Sequence, residues 1–81
     1  LQDWDYCDNA LNTDFEFDNF KDCMSAMYRI AFECEALNHH PEWKNVYNKL
    51  EIRLTTHDAG GVTDLDFKLA NGINKIVEVQ D

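Results

Sequence analysis

Alternating apolar and polar residues predict three β-strands. In residues 10–17 every second residue is apolar or β-prone, which is the period of a strand with one buried face. Asp8 and Asn9 are typical turn residues, so residues 4–7 are expected to form the other strand of a hairpin. The clearest alternation begins at Lys49, and one side of it carries Leu50, Ile52, Leu54 and Thr56.

Apolar residues at helical spacing predict a first helix between these strands. Asp18 is expected to cap its beginning, and the helix should run for about five turns and end near Asn38. Pro41 prevents it from continuing. The expected buried stripe consists of Phe20, Cys23, Met24, Met27, Ile30, Ala31, Cys34 and Leu37.

A second helix is predicted after the last strand. Thr63 followed by Asp66 three residues later resembles a capping box at a helix start. Gly72 inside this helix is unfavourable by roughly 1 kcal/mol relative to Ala, which suggests that another part of the chain approaches it closely. The expected inner face consists of Leu65, Leu69, Ile73 and Ile76.

The order of these elements predicts an α+β domain. Strand, strand, helix, strand and helix are most simply arranged as an antiparallel sheet with both helices on one face. A chain of 81 residues forms one small domain with a limited core, so self-association through an exposed sheet edge is expected.

The charge of the chain narrows its possible partners. Sixteen acidic residues against seven basic ones give a formal charge of −9, and no two basic residues are adjacent. Direct nucleic-acid binding and phosphate-ester substrates are therefore disfavoured, whereas a neutral, flat, polar ligand is compatible. No apolar run approaches the roughly 18 residues that cross a membrane, and no leader peptide is recognised.

The three cysteines indicate a reducing compartment. Cys7, Cys23 and Cys34 are odd in number and lack metal-type spacing. On one helix, Cys23 and Cys34 would lie roughly 16 Å apart, which is too far for a disulfide. We expect free thiols in a cytoplasmic protein, with the nucleus as an alternative location.

The three histidines are the candidates for chemistry. His39 and His40 follow the first helix and His57 follows the clearest strand, so packing of these elements would bring them together. Imidazole both donates and accepts protons near neutral pH, which suits acid and base catalysis. Zinc binding by the histidines with Asp58 is an alternative, and an exposed His-His-Pro turn without function is another. Trp43 and Tyr47 are candidates for an aromatic wall beside a flat ligand, or for core or interface positions.

The run HHPEWKNVYNKLEIRLTTHDAGGVTDLD, from His39 to Asp66, resembles the pterin-4a-carbinolamine dehydratases, also known as dimerisation cofactors of a homeodomain transcription factor. The resemblance implies a four-stranded antiparallel sheet with helices on one face, assembled as a homodimer or homotetramer. Family members usually carry a helix before the equivalent of Trp4. We therefore expect residues 1–81 to form a single domain of this type without that helix.

The resemblance also implies an activity. It is dehydration of 4a-hydroxytetrahydropterin, the product left after aromatic amino acid hydroxylases use tetrahydrobiopterin, to quinonoid dihydropterin, as one step of tetrahydrobiopterin recycling. His39, His40 and His57 would be the acid/base and substrate-orienting residues, and no metal or organic cofactor would be needed. The implied pterin-binding segments comprise His39, His40, Pro41, Thr56, His57, Asp58 and Ala59.

Further positions follow from the same resemblance. Glu35, Trp43 and Asp66 would support the site, and Ala59 replaces a cysteine found in animal members. Family members also bind a transcription factor, so a protein-binding coactivator is the alternative function. The presence of all three histidines favours the enzyme.

Overall fold

The computed structural model describes residues 3–80 and the side chains of residues 3–78. Both helices pack against one face of a four-stranded antiparallel sheet, which confirms the α+β fold class. The elements are β1 (Asp5–Cys7), β2 (Ala10–Glu16), α1 (Phe20–Leu37), β3 (Glu42–Val46), β4 (Lys49–Leu54), a 3₁₀ turn (His57–Ala59) and α2 (Asp64–Gln80).

The core lies between β4 and the helices. The sheet order is β1-β2-β4-β3, so β4 is central, and its residues Leu50, Ile52 and Leu54 are buried as the alternation predicts. Antiparallel pairing places Leu11 opposite Leu54 and so extends this apolar face onto β2. The helices contribute Cys23, Ile30, Cys34, Leu69, Ala70 and Ile73 to the same core.

Strand β3 is the element that alternation does not reveal. Four of its five side chains are exposed, and it pairs only with β4 at the sheet edge. An edge strand without a buried face carries no alternating pattern, so only the family resemblance pointed to a fourth strand. The predicted hairpin is confirmed, with Asp8 and Asn9 at its turn in left-handed backbone conformation.

The two ends of α1 differ in how well they were predicted. The prediction that Asp18 caps the helix is wrong: Asn19 is the N-cap, and its side chain accepts a 2.8 Å hydrogen bond from the Asp22 N–H. Both residue types are good caps, and only the backbone geometry decides between neighbours. The predicted end is confirmed, because Asn38 adopts the left-handed conformation and its N–H bonds to the last carbonyl groups.

The buried faces of the helices differ in part from the predicted stripes. Phe20 and Ala31 of α1 are exposed, whereas Ala26 is fully buried. Leu65 of α2 is 37% exposed, and Ala70 is buried instead. Phe20 and Leu65 lie in the first turns of their helices, where no element within residues 3–80 covers them.

Gly72 marks a close contact between the two helices. A Cβ atom at this position would lie 2.9 Å from Oε1 of Glu33 on α1. The close approach expected at Gly72 is therefore made by a side chain of the other helix. No helix in residues 3–80 combines the length and the apolar character needed to cross a membrane.

Candidate active site

His39 is directed into the protein by the end of α1. The left-handed Asn38 turns the chain, and the His39 N–H bonds to the carbonyl oxygen of Cys34 at 3.0 Å. The imidazole Nε2 then lies 2.5 Å from Oδ1 of Asp66. The His39 side chain is 10% exposed and the Asp66 side chain 0%, so this pair is almost completely removed from solvent.

Asp66 connects the start of α2 with the end of β4. As the third residue of the helix, it accepts a 2.8 Å hydrogen bond at Oδ2 from the Thr63 N–H, which is half of a capping box. Oδ2 also accepts a 2.7 Å hydrogen bond from the Thr56 hydroxyl. The Thr63 hydroxyl lies 2.7 Å from that of Thr56.

The contacts of Asp66 keep its carboxyl group ionised. Burial raises the pKa of this carboxyl. The hydrogen bonds from its three partners and the charge of His39 lower the pKa, and together they outweigh the effect of burial. The resulting pKa lies below the ordinary value of 3.8. A buried carboxylate is thereby available to His39 at neutral pH.

We expect Asp66 to make the free energy of unfolding depend on pH in acid. Its pKa is lower in the folded protein than in the unfolded chain, so its stabilisation is fully present above 3.8. That stabilisation is lost as the pH falls through the lower pKa of the folded state. Urea denaturation of the wild type and Asp66→Asn between about pH 7 and pH 2 measures the difference.

The control for this experiment is Asp64→Asn, which removes an exposed carboxylate from the same helical turn. The wild type and Asp64→Asn should lose stability more steeply below 3.8 than Asp66→Asn. An equal slope in all three proteins would contradict the assignment.

His40 points away from His39. Its Nε2 lies 2.6 Å from Oε2 of Glu35, and the two side chains are 59% and 73% exposed. Within the described residues, no three histidine, cysteine, aspartate or glutamate side chains are grouped so that they could hold a metal ion. The doublet thus forms two separate histidine–carboxylate pairs, one buried and one at the surface.

His57 begins an exposed turn beside the buried network. Thr56 and Gly61 form a bridge that closes the turn, with N–O distances of 2.9 and 3.3 Å, and Gly60 has a left-handed φ of 72°. His57 is exposed and follows Thr56, whose hydroxyl bonds to Asp66. The structure therefore connects the segment of His57 to His39 through Thr56 and Asp66.

Most of the remaining residues predicted for the site are exposed. Asp58 and Ala59 are exposed in the 3₁₀ turn, and Pro41 is half-buried at the entry to β3. Trp43 lies opposite Ile52 on β4 and is 36% exposed, whereas Tyr47 is 61% exposed in the turn after β3. Trp43 also borders a 510 Å³ depression on the open face of the sheet, which contains none of the three histidines.

Thr63 is a site residue that the sequence reading assigned only to helix capping. Its hydroxyl bonds to Thr56, although a capping residue ordinarily uses its side chain at the helix start. The capping-box spacing identified the position but not this contact, because the spacing carries no information about β4.

Comparisons with known proteins identify the family. Residues 1–76 match the family model "Pterin 4 alpha carbinolamine dehydratase". A protein of Christiangramia forsetii named "Putative pterin-4-alpha-carbinolamine dehydratase" is 57% identical over 93% of this chain and 77% of its own length. A protein of Opitutus terrae with the same name is 52% identical over 94% and 79%.

A solved structure shows the same fold. The crystal structure of a transcriptional coactivator/pterin dehydratase from Brucella melitensis superimposes with a TM-score of 0.91 and 40% identity, over 94% of this chain and 83% of that one. The sequence match and this likeness together show that the chain belongs to the pterin 4 alpha carbinolamine dehydratase family.

Proposed function

We propose that this protein dehydrates 4a-hydroxytetrahydropterin to quinonoid dihydropterin and so takes part in tetrahydrobiopterin recycling. The observation that carries the proposal is His39, held by the buried carboxylate of Asp66 next to the segment that presents His57. Family membership supports the same activity. Loss of water leaves the oxidation state of the substrate unchanged, so the reaction needs no redox cofactor.

The reaction requires one proton donor and one proton acceptor. The C4a–O bond breaks and the hydroxyl leaves as water, which an acid assists by protonating the oxygen. The N5–H bond breaks as the C4a=N5 double bond forms, so a base accepts that proton. Two imidazoles can supply these opposite roles at neutral pH.

We assign the proton transfers to His39 and His57 and the orientation of the substrate to His40. His39 has a buried carboxylate partner that holds its imidazole in place, and His57 is exposed at the turn. His40 is paired with Glu35 at the surface, where the pair can contact the edge of a bound pterin. The substrate would lie between residues 39–41 and residues 56–59.

The direct test is the decay of freshly generated 4a-carbinolamine, followed by absorbance. We expect the purified protein to accelerate this decay above the spontaneous rate without added metal, and a chelator should have no effect. Activity that disappears with a chelator and returns with zinc would contradict the proposed mechanism. Failure to accelerate the decay would contradict the proposed activity.

The cysteines are not part of the proposed chemistry. Cys7, Cys23 and Cys34 are all free, and burial raises the pKa of the Cys34 thiol to about 11. Burial also raises the pKa of Cys23. The thiols of Cys23 and Cys34 are therefore buried packing groups that remain protonated, and three free thiols fit the proposal of a cytoplasmic protein, with the nucleus as the alternative.

We expect the protein to self-associate as a homodimer or homotetramer. Both outer strands, β1 and β3, have unpaired edges within the sheet, and α1 exposes Tyr28 and Phe32, whose rings meet edge to face at 5.1 Å. Light scattering at micromolar concentration should give two or four times the mass of one chain. A monomer mass would contradict this expectation.

Coactivator function is the second candidate. The structure from Brucella melitensis is described as both a coactivator and a dehydratase, and the exposed Tyr28 and Phe32 could contact a transcription factor. A chain that only binds a protein partner would tolerate loss of the histidines. The carbinolamine assay therefore separates the two functions.

A further inference from the structure

The hydrogen bonds around Asp66 have only one consistent direction. An ionised carboxylate can only accept hydrogen bonds, so the Thr56 hydroxyl must donate to Oδ2. The hydroxyl proton of Thr56 is used in this bond. In the 2.7 Å contact between the two threonine hydroxyls, Thr63 must therefore donate and Thr56 accept. The order of donation is therefore Thr63 to Thr56 to Asp66.

This order determines which oxygen of Asp66 is left for His39. Oδ2 receives two donors, the Thr56 hydroxyl and the Thr63 N–H, from different elements of the fold. Two donors on one oxygen hold the plane of the carboxylate and direct Oδ1 toward His39 at 2.5 Å. The lowered pKa of Asp66 supports the ionised state that this arrangement needs.

The orientation of Asp66 in turn determines the tautomer of His39. Because Oδ1 can only accept, Nε2 of His39 must carry a proton whether the imidazole is neutral or charged. Proton exchange by His39 then takes place at Nδ1. Among the residues that the structure describes, none forms a hydrogen bond with this nitrogen.

We propose that Thr56 is a positioning residue whose hydroxyl, oriented by Thr63, holds Asp66 so that His39 keeps its proton on Nε2 and exchanges protons through Nδ1. The catalytic consequence of this positioning rests on the proposed dehydratase function, but the tautomer does not. Both backbone groups of Thr56 are bonded within the turn, to Gly61 and Ala59. Its hydroxyl contacts Asp66 and Thr63, so the hydroxyl acts through Asp66 while the segment of residues 56–59 remains next to the proposed substrate.

The matched variants are Thr56→Val, Thr56→Ser and Thr55→Val. Valine removes the hydroxyl with little change of shape, and serine keeps it. Thr55 is the neighbouring threonine, and its hydroxyl bonds to the Asn9 carbonyl oxygen, away from Asp66. Thr55→Val therefore controls for the loss of a threonine hydroxyl at the same end of β4.

Nitrogen NMR of histidine-labelled protein reports the tautomer directly. The His39 signals are assigned by comparison with His40→Gln and His57→Gln. In the wild type, Thr56→Ser and Thr55→Val, neutral His39 should carry its proton on Nε2, whereas Thr56→Val should show a mixture of tautomers. A wild-type His39 with its proton on Nδ1 would overturn the proposal, as would an unchanged tautomer in Thr56→Val.

Kinetics of carbinolamine decay provide the second measurement. Thr56→Val should lower kcat by roughly 10- to 100-fold, the range that corresponds to one hydrogen bond to a charged group, with KM nearly unchanged. Thr56→Ser should restore most of kcat, and Thr55→Val should match the wild type. Equal losses in Thr56→Val and Thr56→Ser would contradict a role for the hydroxyl.

Two further outcomes are distinguishable. If Thr56→Val does not fold, Thr63→Val removes only the outer hydroxyl and should shift the tautomer in the same direction, and no shift would overturn the proposal. If every protein lacks dehydratase activity but the tautomers behave as expected, the positioning by Thr56 stands and the proposed function fails.

Discussion

Replacing His39 or His57 by alanine is expected to lower the turnover number by roughly 10²- to 10⁴-fold, the usual contribution of general acid–base catalysis. Each replacement removes one of the two groups that we assign to proton transfer. His39→Ala also leaves the buried carboxylate of Asp66 without its imidazole partner, so this variant should lose stability as well. The rates are measured by carbinolamine decay and corrected for the spontaneous reaction.

His40→Ala is the matched control for these variants. His40 is adjacent in sequence but paired with Glu35 at the surface, so its loss should act mainly on KM. The double variant His39→Ala with His57→Ala should be impaired less than the product of the single effects, because both groups act in one transition state. Loss of turnover in His40→Ala together with only a KM change in His39→Ala would reverse the assignment.

Leu69→Ala is expected to reduce the free energy of unfolding by about 2 to 5 kcal/mol, the range for a leucine removed from a packed core. Leu69 is fully buried between α2 and the rest of the core. A domain of this size has a total stability near the low end of about 5 to 15 kcal/mol, so the variant should be partly unfolded at moderate temperature.

Leu65→Ala provides the comparison on the same helix. Leu65 is 37% exposed one turn earlier, so its removal leaves no enclosed cavity and should reduce the free energy of unfolding by less than about 1 kcal/mol. Urea denaturation of both variants at one pH measures the difference. Equal destabilisation would show that Leu65 is buried in solution, for example in an interface between copies of the chain.

The elements with a periodic pattern were predictable from the sequence, and those without one were not. Strands β2 and β4 bury one face each, which imposes alternation on their residues. Strand β3 has no such constraint. The choice between Asp18 and Asn19 as the cap of α1 depends on the backbone angles of a single residue, and composition does not encode those angles.

The sequence indicated candidate site residues, but it did not indicate the contacts that the structure shows among them. The positions of His39 and His57 after a helix and a strand indicated that they belong together. Nothing in the sequence indicated that His39 turns inward and His40 outward, because that depends on the left-handed Asn38. The orientation of Asp66 by Thr56 likewise requires the packing of α2 against the end of β4.

The position of Asp66 in α2 has a consequence for folding. Its hydrogen-bond partners His39 and Thr56 lie 27 and 10 residues earlier in the chain, so these contacts form only after the intervening loops have closed. During refolding, the His39–Asp66 pair should therefore appear together with the docking of the last helix and not with the early hairpin. Recovery of the proposed dehydratase activity would then require the docking of this helix.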